Sequence, residues 1–241
     1  MLGKVLSVRR LRPDVCDMRL LAGLQGSAPG RFVHLALPGL MLRRPVSLCG
    51  FEDGIARLVF AVKGQGTLYL SRLVPGDSVD LLGPLGNCFP CPENSDDPVL
   101  LAGGGIGLPP LLYFAKAYPG RSYAVSAFRT KEDIVLADEF PAGEICTDDG
   151  SSGFHGFLHE RLAQVLQENK FSKALICGPA PMMRAAAAAC READVPCFAS
   201  LEERMGCGIG ACMVCACMVG GMYRRSCKDG PIFSAEEVDW E

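Results

Sequence analysis

Long apolar runs are missing from this 241-residue chain. None reaches the ~18 residues that a membrane-spanning helix needs, and the stretch around Ala185–Ala189 is cut by Arg184 and Arg191. That stretch is a strong helix former of ordinary length. Met1 to Pro13 contains no apolar core of signal-peptide length before its arginines, so a cytoplasmic location is expected. A basic excess is also missing. Lys and Arg number 24 against 27 Asp and Glu, and there is no basic tail, which argues against a nucleic-acid partner. Aromatic residues are few, at 7%, but 49% of the chain is apolar and only 21% charged. That balance excludes disorder for most of the chain and leaves ample length for a buried core. A reducing compartment excludes a disulfide framework, and the 13 cysteines then call for another explanation.

Glycine is plentiful, with 28 residues, against a usual share of about 7%; tight turns or close approaches of backbone to ligand follow. Mean hydropathy is +0.21, high for a soluble monomer, and points to an apolar surface covered by a partner or cofactor. The first ~92 residues are short β-type runs (Gly3–Val8, Cys16–Leu21, Phe32–Leu37, Ser47–Phe51 and Ile55–Val62) separated by Gly, Pro and Asp, the spacing of a small barrel or sandwich. The polar stretch Cys91–Pro98 is bounded by prolines and suits a domain boundary. Beyond it, strand and helix patterns alternate. Val99–Ala102, Ser122–Phe128, Ala174–Cys177 and Cys197–Leu201 read as strands. Pro109–Ala117, His155–Asn169 and Ala180–Ala193 read as helices. This alternation predicts a parallel sheet with crossover helices. From Glu202 onward the chain reads as a glycine- and cysteine-rich loop with a short tail.

Five cysteines fall between Cys207 and Cys227. Cys207, Cys212 and Cys215 have C-x4-C-x2-C spacing, with Cys227 further on; the first part is the plant-type [2Fe–2S] spacing. Gly206, Gly208 and Gly210 allow a tight loop that turns backbone N–H groups towards the sulfurs. A structural zinc site is the competing assignment, but zinc favours paired short-spaced ligands separated by a longer stretch. Cys217 reads as a small buried hydrophobe at a strand start.

Gly103–Gly107 joins a strand to a helix and suits a pyrophosphate, although it lacks the strict G-x-G-x-x-G pattern and the acid ~20 residues on. Cys177-Gly178-Pro179 is a second loop of this kind; the two would line one crevice. Upstream, Arg43–Ser47 pairs arginines with a hydroxyl, a phosphate-holding combination, and Lys63–Thr67 and Gly83–Asn87 are glycine turns that admit a flat ligand.

Together these segments closely resemble the electron-transfer subunits of type B dihydroorotate dehydrogenase, within the ferredoxin–NADP reductase superfamily. The resemblance runs through Arg43–Ser47, Gly64–Thr67, Gly83–Asn87, Gly103–Leu111, Thr147–Gly153, Cys177–Met183 and, most specifically, Leu201–Cys217. It implies a β-barrel flavin domain (1–92), an α/β parallel-sheet pyridine-nucleotide domain (93–201) and a small C-terminal iron–sulfur loop subdomain (202–241). It further implies that Arg44, Pro45, Val46 and Ser47 hold FAD, with Gly66 and Thr67 at its pyrophosphate and the strand Phe60, Ala61, Val62 along it. Relatives commonly carry an aromatic–arginine pair on that strand; here Ala61 lacks the charge and Lys63 is the candidate substitute. Gly104, Gly105, Gly107, Cys177, Gly178 and Pro179 would flank NADH, with Cys177 and Glu202 as candidate catalytic residues of the nicotinamide pocket. Cys207, Cys212, Cys215 and Cys227 would hold the cluster. A flavin is needed between a hydride donor and a one-electron centre. The implied partner is an FMN-containing dihydroorotate dehydrogenase catalytic subunit, in a heterotetramer, docked on Met213, Val214 and Met218 beside the cluster. The same machinery serving a ferredoxin or hydrogenase module is the alternative.

Weaker signals carry less. Cys88–Cys91 has no second pair, and His155 and His159 are expected as a helix-surface pair. His34 reads as a packed barrel residue. Arg129 and Lys131 follow a strand end and suit a ribose or 2′-phosphate, which Asp148 and Asp149 would oppose, favouring NADH over NADPH.

Overall fold

The computed structural model describes residues 1–94 and 96–240; Ser95, in the proline-bounded stretch, and the terminal Glu241 lie outside them. The strands β1 (Leu2–Arg12), β2 (Val15–Leu21), β3 (Phe32–Ala36), β4 (Arg44–Glu52) and β5 (Ile55–Ala61) are followed by a short helix, α1 (Gln65–Leu70), and by β6 (Ser78–Leu85). They close into an antiparallel barrel in the order β1-β2-β5-β4-β3-β6. Alternation drives the closure: Met18, Leu20, Leu35, Leu48, Leu58 and Leu81 turn inward and are almost wholly buried, and closure leaves no open edge. Asp53 and Gly54, both at positive φ, make the two-residue turn between β4 and β5. β6 has no counterpart among the predicted strands, because only Val79 and Leu81 of it are buried and it runs into Gly83-Pro84.

The second sheet takes β7 (Val99–Gly104), β8 (Ser122–Phe128), β9 (Gly143–Thr147), β10 (Phe154–His155), β11 (Lys173–Cys177) and β12 (Cys197–Ser200), connected in part by α2 (Leu108–Ala117), α3 (Leu158–Glu168) and α4 (Ala180–Glu192). After a hairpin of β13 (Ala216–Val219) and β14 (Met222–Arg225), the chain returns as β15 (Ile232–Ser234). The sheet order is β10-β9-β8-β7-β11-β12-β15, parallel except for β15. The expected parallel sheet is therefore present. The C-terminal stretch, expected as loop and tail, contributes a hairpin turned by Gly220 and Gly221 at positive φ and an edge strand of the sheet.

His155 lies in β10, not on a helix, so it shares no helix face with His159. Gly156 sits at φ +142° and Phe157 N–H donates to Glu160 Oε2 at 2.7 Å, which starts the helix at Leu158. No helix among the described residues is long and apolar enough to cross a membrane.

Two seams join barrel and sheet. Val15, Cys49 and Val59 of the barrel pack on Leu108, Leu112, Phe128 and Leu136. Asn87 locks onto the residues after the last cysteine: its Nδ2 donates to Ile232 O at 2.8 Å, and its Oδ1 accepts from Ile232 N–H at 2.9 Å.

Candidate functional site

β7 and β11 lie side by side in parallel, and their neighbours β8 and β12 lie on opposite flanks. This is a topological switch point, where open α/β sheets bind ligands beyond the strand ends. The loops leaving these two strands meet backbone to backbone. A Cβ on Gly107 would overlap the Cys177 carbonyl, and one on Gly104 would lie 2.6 Å from Met182 Sδ. Glycine at these positions lets the loops close together. Both helices that follow carry proline in their first turn, where a lost N–H costs little.

Beyond the loops opens a cleft of about 810 Å³. Gly104, Gly105, Gly107, Gly178 and Pro179 line it from the sheet, Ala61 and Lys63 from the barrel, and Glu202 from the start of the cysteine segment. Glu202 is exposed at its edge. The surrounding protein lifts its carboxyl above the usual range, and the Lys63 ammonium pulls the other way. Cys177 is not on the cleft wall. It is 3% exposed, burial pushes its thiol up to about 12, and it contributes its carbonyl to the loop contact. Arg129 and Asp148 both line the cleft, while Asp149 turns to Ser151, accepting from its Oγ at 2.6 Å, and Lys131 N–H donates to Ser151 Oγ. Arg12 also lines the wall, paired with Asp133 at 2.8 Å. It was not among the predicted site residues, since nothing local distinguishes one arginine of a charged strand end from its neighbours.

Arg44, Pro45, Val46 and Ser47 open β4 and pair with Leu35, His34, Val33 and Phe32 of β3. A Cβ on Gly66 would lie 2.6 Å from Arg44 Nε, so the guanidinium crosses the start of α1. Thr67 Oγ1 accepts the N–H groups of Lys63 (2.9 Å) and Gly64 (3.2 Å), fixing the turn between β5 and α1. Phe60 points into the barrel core, whereas Ala61 and Val62 are half-buried. The strand thus offers Ala61 and Lys63, not its aromatic, to the cleft.

Three candidate cluster sulfurs accept backbone N–H groups: Cys207 Sγ from Ala211 (3.2 Å), Cys212 Sγ from Cys207 (3.4 Å) and Cys215 Sγ from Cys227 (3.4 Å). Backbone donors, with Cys212 beside it, hold the Cys207 thiol down to about 6, while burial and then the neighbouring Cys215 push Cys227 up to about 12. The thiols come in two pairs, Cys207 with Cys212 and Cys215 with Cys227. Among the described residues no three His, Cys, Asp or Glu side chains converge to hold a single ion. Two pairs of thiols beside amide donors suit a group with two irons. Cys217 stands apart: half-buried in β13, its thiol donates to Arg224 O at 3.6 Å. Arg225 ties the loop down through Gly210 O (3.1 Å) and Asp229 (2.9 Å).

Beside these thiols Ile209 is 55%, Met213 48% and Val214 56% exposed. Met218 differs from expectation, because pairing with Tyr223 in the hairpin leaves it half-buried.

Comparison with known proteins bears on this arrangement. Residues 202–239 match the family model for the iron–sulfur cluster binding domain of dihydroorotate dehydrogenase B. The chain is 43% identical over 227 residues to the dihydroorotate dehydrogenase B (NAD(+)), electron transfer subunit of Geobacillus kaustophilus, covering 87% of this chain and 86% of the relative. It is 37% identical over 246 residues to the subunit of the same name from Caldanaerobacter subterraneus, covering 99% and 98%. Among solved structures, a chain of the NADH-dependent reduced ferredoxin–NADP oxidoreductase superposes with a TM-score of 0.91 at 32% identity, over 100% of this chain and 90% of that one. The flavohemoglobin of Malassezia yamatoensis, at 19% identity and a TM-score of 0.67 over 80% and 57% of the chains, shares the fold.

Proposed function

The chain belongs to the family of dihydroorotate dehydrogenase B electron transfer subunits, and from that premise we propose that it passes electrons between NADH and a separate dihydroorotate dehydrogenase flavoprotein, with FAD and a [2Fe–2S] cluster as its carriers, in pyrimidine biosynthesis. The observation that carries this reading is the convergence of three elements: the switch-point cleft, the Arg44–Gly66 contact on the barrel, and the paired thiols on a loop closed against β3. When bound, the flavin supplies the exchange between a two-electron hydride and the single electrons of the cluster.

The residues divide the work by place. Residues 1–92 form the flavin unit, 93–201 the nucleotide unit and 202–241 the cluster unit. Arg44 offers a fixed guanidinium to the FAD phosphates, with Pro45, Val46 and Ser47 along the same strand and Gly66 and Thr67 shaping the turn opposite. Gly104, Gly105, Gly107, Gly178 and Pro179 present backbone to NADH, while Ala61 and Lys63, from the strand assigned to the flavin, face the same cleft. Asp148 beside Arg129 on the cleft wall disfavours a 2′-phosphate and supports NADH. Glu202 borders the pocket, and Cys177 supports its floor. Cys207, Cys212, Cys215 and Cys227 hold the cluster. The orotate chemistry belongs to the FMN-containing catalytic subunit, in a heterotetramer, and all 13 cysteines being free accords with a cytoplasmic location. A second reading, a ferredoxin as acceptor, draws on the whole-chain likeness to the reduced ferredoxin–NADP oxidoreductase; co-purification with a dihydroorotate-oxidising flavoprotein would separate the two.

The direct test is an absorption spectrum of anaerobically purified protein before and after NADH. Flavin bands and a broad iron–sulfur shoulder, both bleached, are expected. Flavin without the shoulder would break the cysteine assignment, and a colourless protein would sink the reading. The exposed Ile209, Met213 and Val214 are the surface assigned to the partner. Val214→Glu places a carboxylate in that contact and is expected to cost about 2 kcal/mol or more, roughly 30-fold in affinity for the catalytic subunit. Unchanged affinity in titration calorimetry would remove this face from the interface.

A further inference from the structure

Strand β3 places His34 at the seam between the barrel and the cysteine loop. Its imidazole is fully buried; neither Nδ1 nor Nε2 makes a hydrogen bond of good geometry, but the ring faces the backbone of Arg43 on one side and of Cys207 on the other. Buried polar groups are almost always hydrogen-bonded, and an imidazole set between the backbone of Arg43 and that of Cys207 is placed to link those two segments. On one side of the ring lies the cysteine loop. A Cβ on Gly208 would stand 2.5 Å from Nδ1 and 3.2 Å from Cε1, so only glycine, here at φ +72°, lets the loop close on the ring. Gly208 directly follows Cys207, the first of the assigned ligands. On the other side lies the strand assigned to the flavin. His34 pairs with Pro45 across the β3–β4 ladder, and its carbonyl accepts from Arg43 Nη1 at 3.2 Å. One residue therefore meets both the loop that carries the first thiol and the strand that carries Arg44–Ser47. An apolar side chain of similar volume would fill the same gap but could not interact with either backbone.

We propose that His34 is the positioning residue that couples the two carriers: its ring seats Cys207 and Gly208 against the flavin strand, bridging the backbone of the cysteine loop to that of Arg43 at the strand's start. The proposal rests on the FAD and cluster assignment made above. It adds no chemical step; it concerns the separation across which electrons already pass.

The test uses the full chain, purified anaerobically with FAD and cluster, as wild type, His34→Leu and His34→Asn. Rapid mixing with NADH follows the flavin and cluster bands separately. In His34→Leu the cluster phase is expected to slow roughly 10-fold or more relative to the flavin phase, as removal of a group supporting a metal ligand typically does. The electron paramagnetic resonance signal of the reduced cluster should shift, and iron loss to a chelator should speed up by a similar factor while FAD stays bound. His34→Asn, which keeps a polar donor and acceptor, should recover part of each effect. A His34→Leu protein with full FAD and iron, wild-type phases and an unshifted signal would overturn the proposal. Loss of FAD and cluster together would also overturn it, because His34 would then be a barrel core residue only. Failure of wild type itself to show a cluster that NADH bleaches would instead overturn the functional reading beneath it.

Discussion

Replacing Cys215 or Cys227 by alanine is expected to abolish the iron–sulfur shoulder of the visible spectrum while leaving the flavin bands in place. Both thiols are buried, at 2% exposure each, and the Cys227 N–H donates to Cys215 Sγ at 3.4 Å, so each replacement breaks the thiol pair and Cys215→Ala also removes the sulfur that accepts this amide. Loss of a group that merely supports a metal ligand typically costs 10–100-fold; loss of the ligand is expected to exceed ~100-fold in electron delivery to the catalytic subunit. The barrel core shares no residue with this cluster of side chains, and hydride uptake by the flavin should continue. Cys217→Ala is the control. Its thiol turns to Arg224 O, away from the pairs, and iron content should be unchanged. Iron retained in Cys227→Ala but lost in Cys217→Ala would show that the fourth ligand is misassigned.

Arg57→Met should be the most destabilising single change at the seam between barrel and sheet. Arg57 of β5 contacts Asp17 of β2 at 2.9 Å and Glu139, in the turn before β9, at 2.6 Å; Lys116 of α2 meets the same Glu139 at 2.6 Å. The Arg57 side chain is 14% exposed and that of Asp17 4%. Methionine would fill the space but leave the buried Asp17 carboxylate with only its longer contact to the exposed Arg9, at 3.4 Å. Breaking a buried pair in this way costs about 3–5 kcal/mol, a fall in Tm on the order of 10 °C for a chain of this size. Arg57→Lys keeps the charge but not the fork that serves two carboxylates, and should fall between. A loss below ~1 kcal/mol would place the network with ordinary surface pairs. The pH dependence follows from the same geometry. The Arg57 hydrogen bonds, and then Lys116, hold the Glu139 carboxyl at about 2, below its ordinary 4.5. A depressed carboxylate stabilises the fold above its unfolded value and loses that contribution as protons return. Wild-type stability should therefore fall as pH drops from about 4.5 to about 2, and the slope should flatten in Arg57→Met. Urea unfolding across that range measures both.

Much of this was legible in the sequence because it is local. Ser122–Phe128 is a strand over the predicted residues, and the two glycine loops sit at strand ends as their composition requires. Helix α3 starts three residues later than expected because the Gly156 conformation and the Glu160 cap act only once the chain turns there. β6 and β15 escaped notice because a strand with only one or two fully buried side chains carries almost no periodic signal, and β15 is three residues long.

The sequence by itself determined the local chemistry: the C-x4-C-x2-C spacing, the glycine turns and the switch from β-type to alternating patterning near residue 98. Spacing and periodicity are properties of neighbouring residues, so they can be read without the fold. Only the tertiary structure decided which distant groups meet. It brought Gly107 against Cys177, His34 against Gly208, and Arg57 between Asp17 and Glu139. Those contacts join residues 40 to 174 positions apart, and each partner is a common residue type whose identity says nothing about its mate. Barrel closure and strand order select the pairs, because burying the apolar faces of two sheets leaves one arrangement in which these side chains touch.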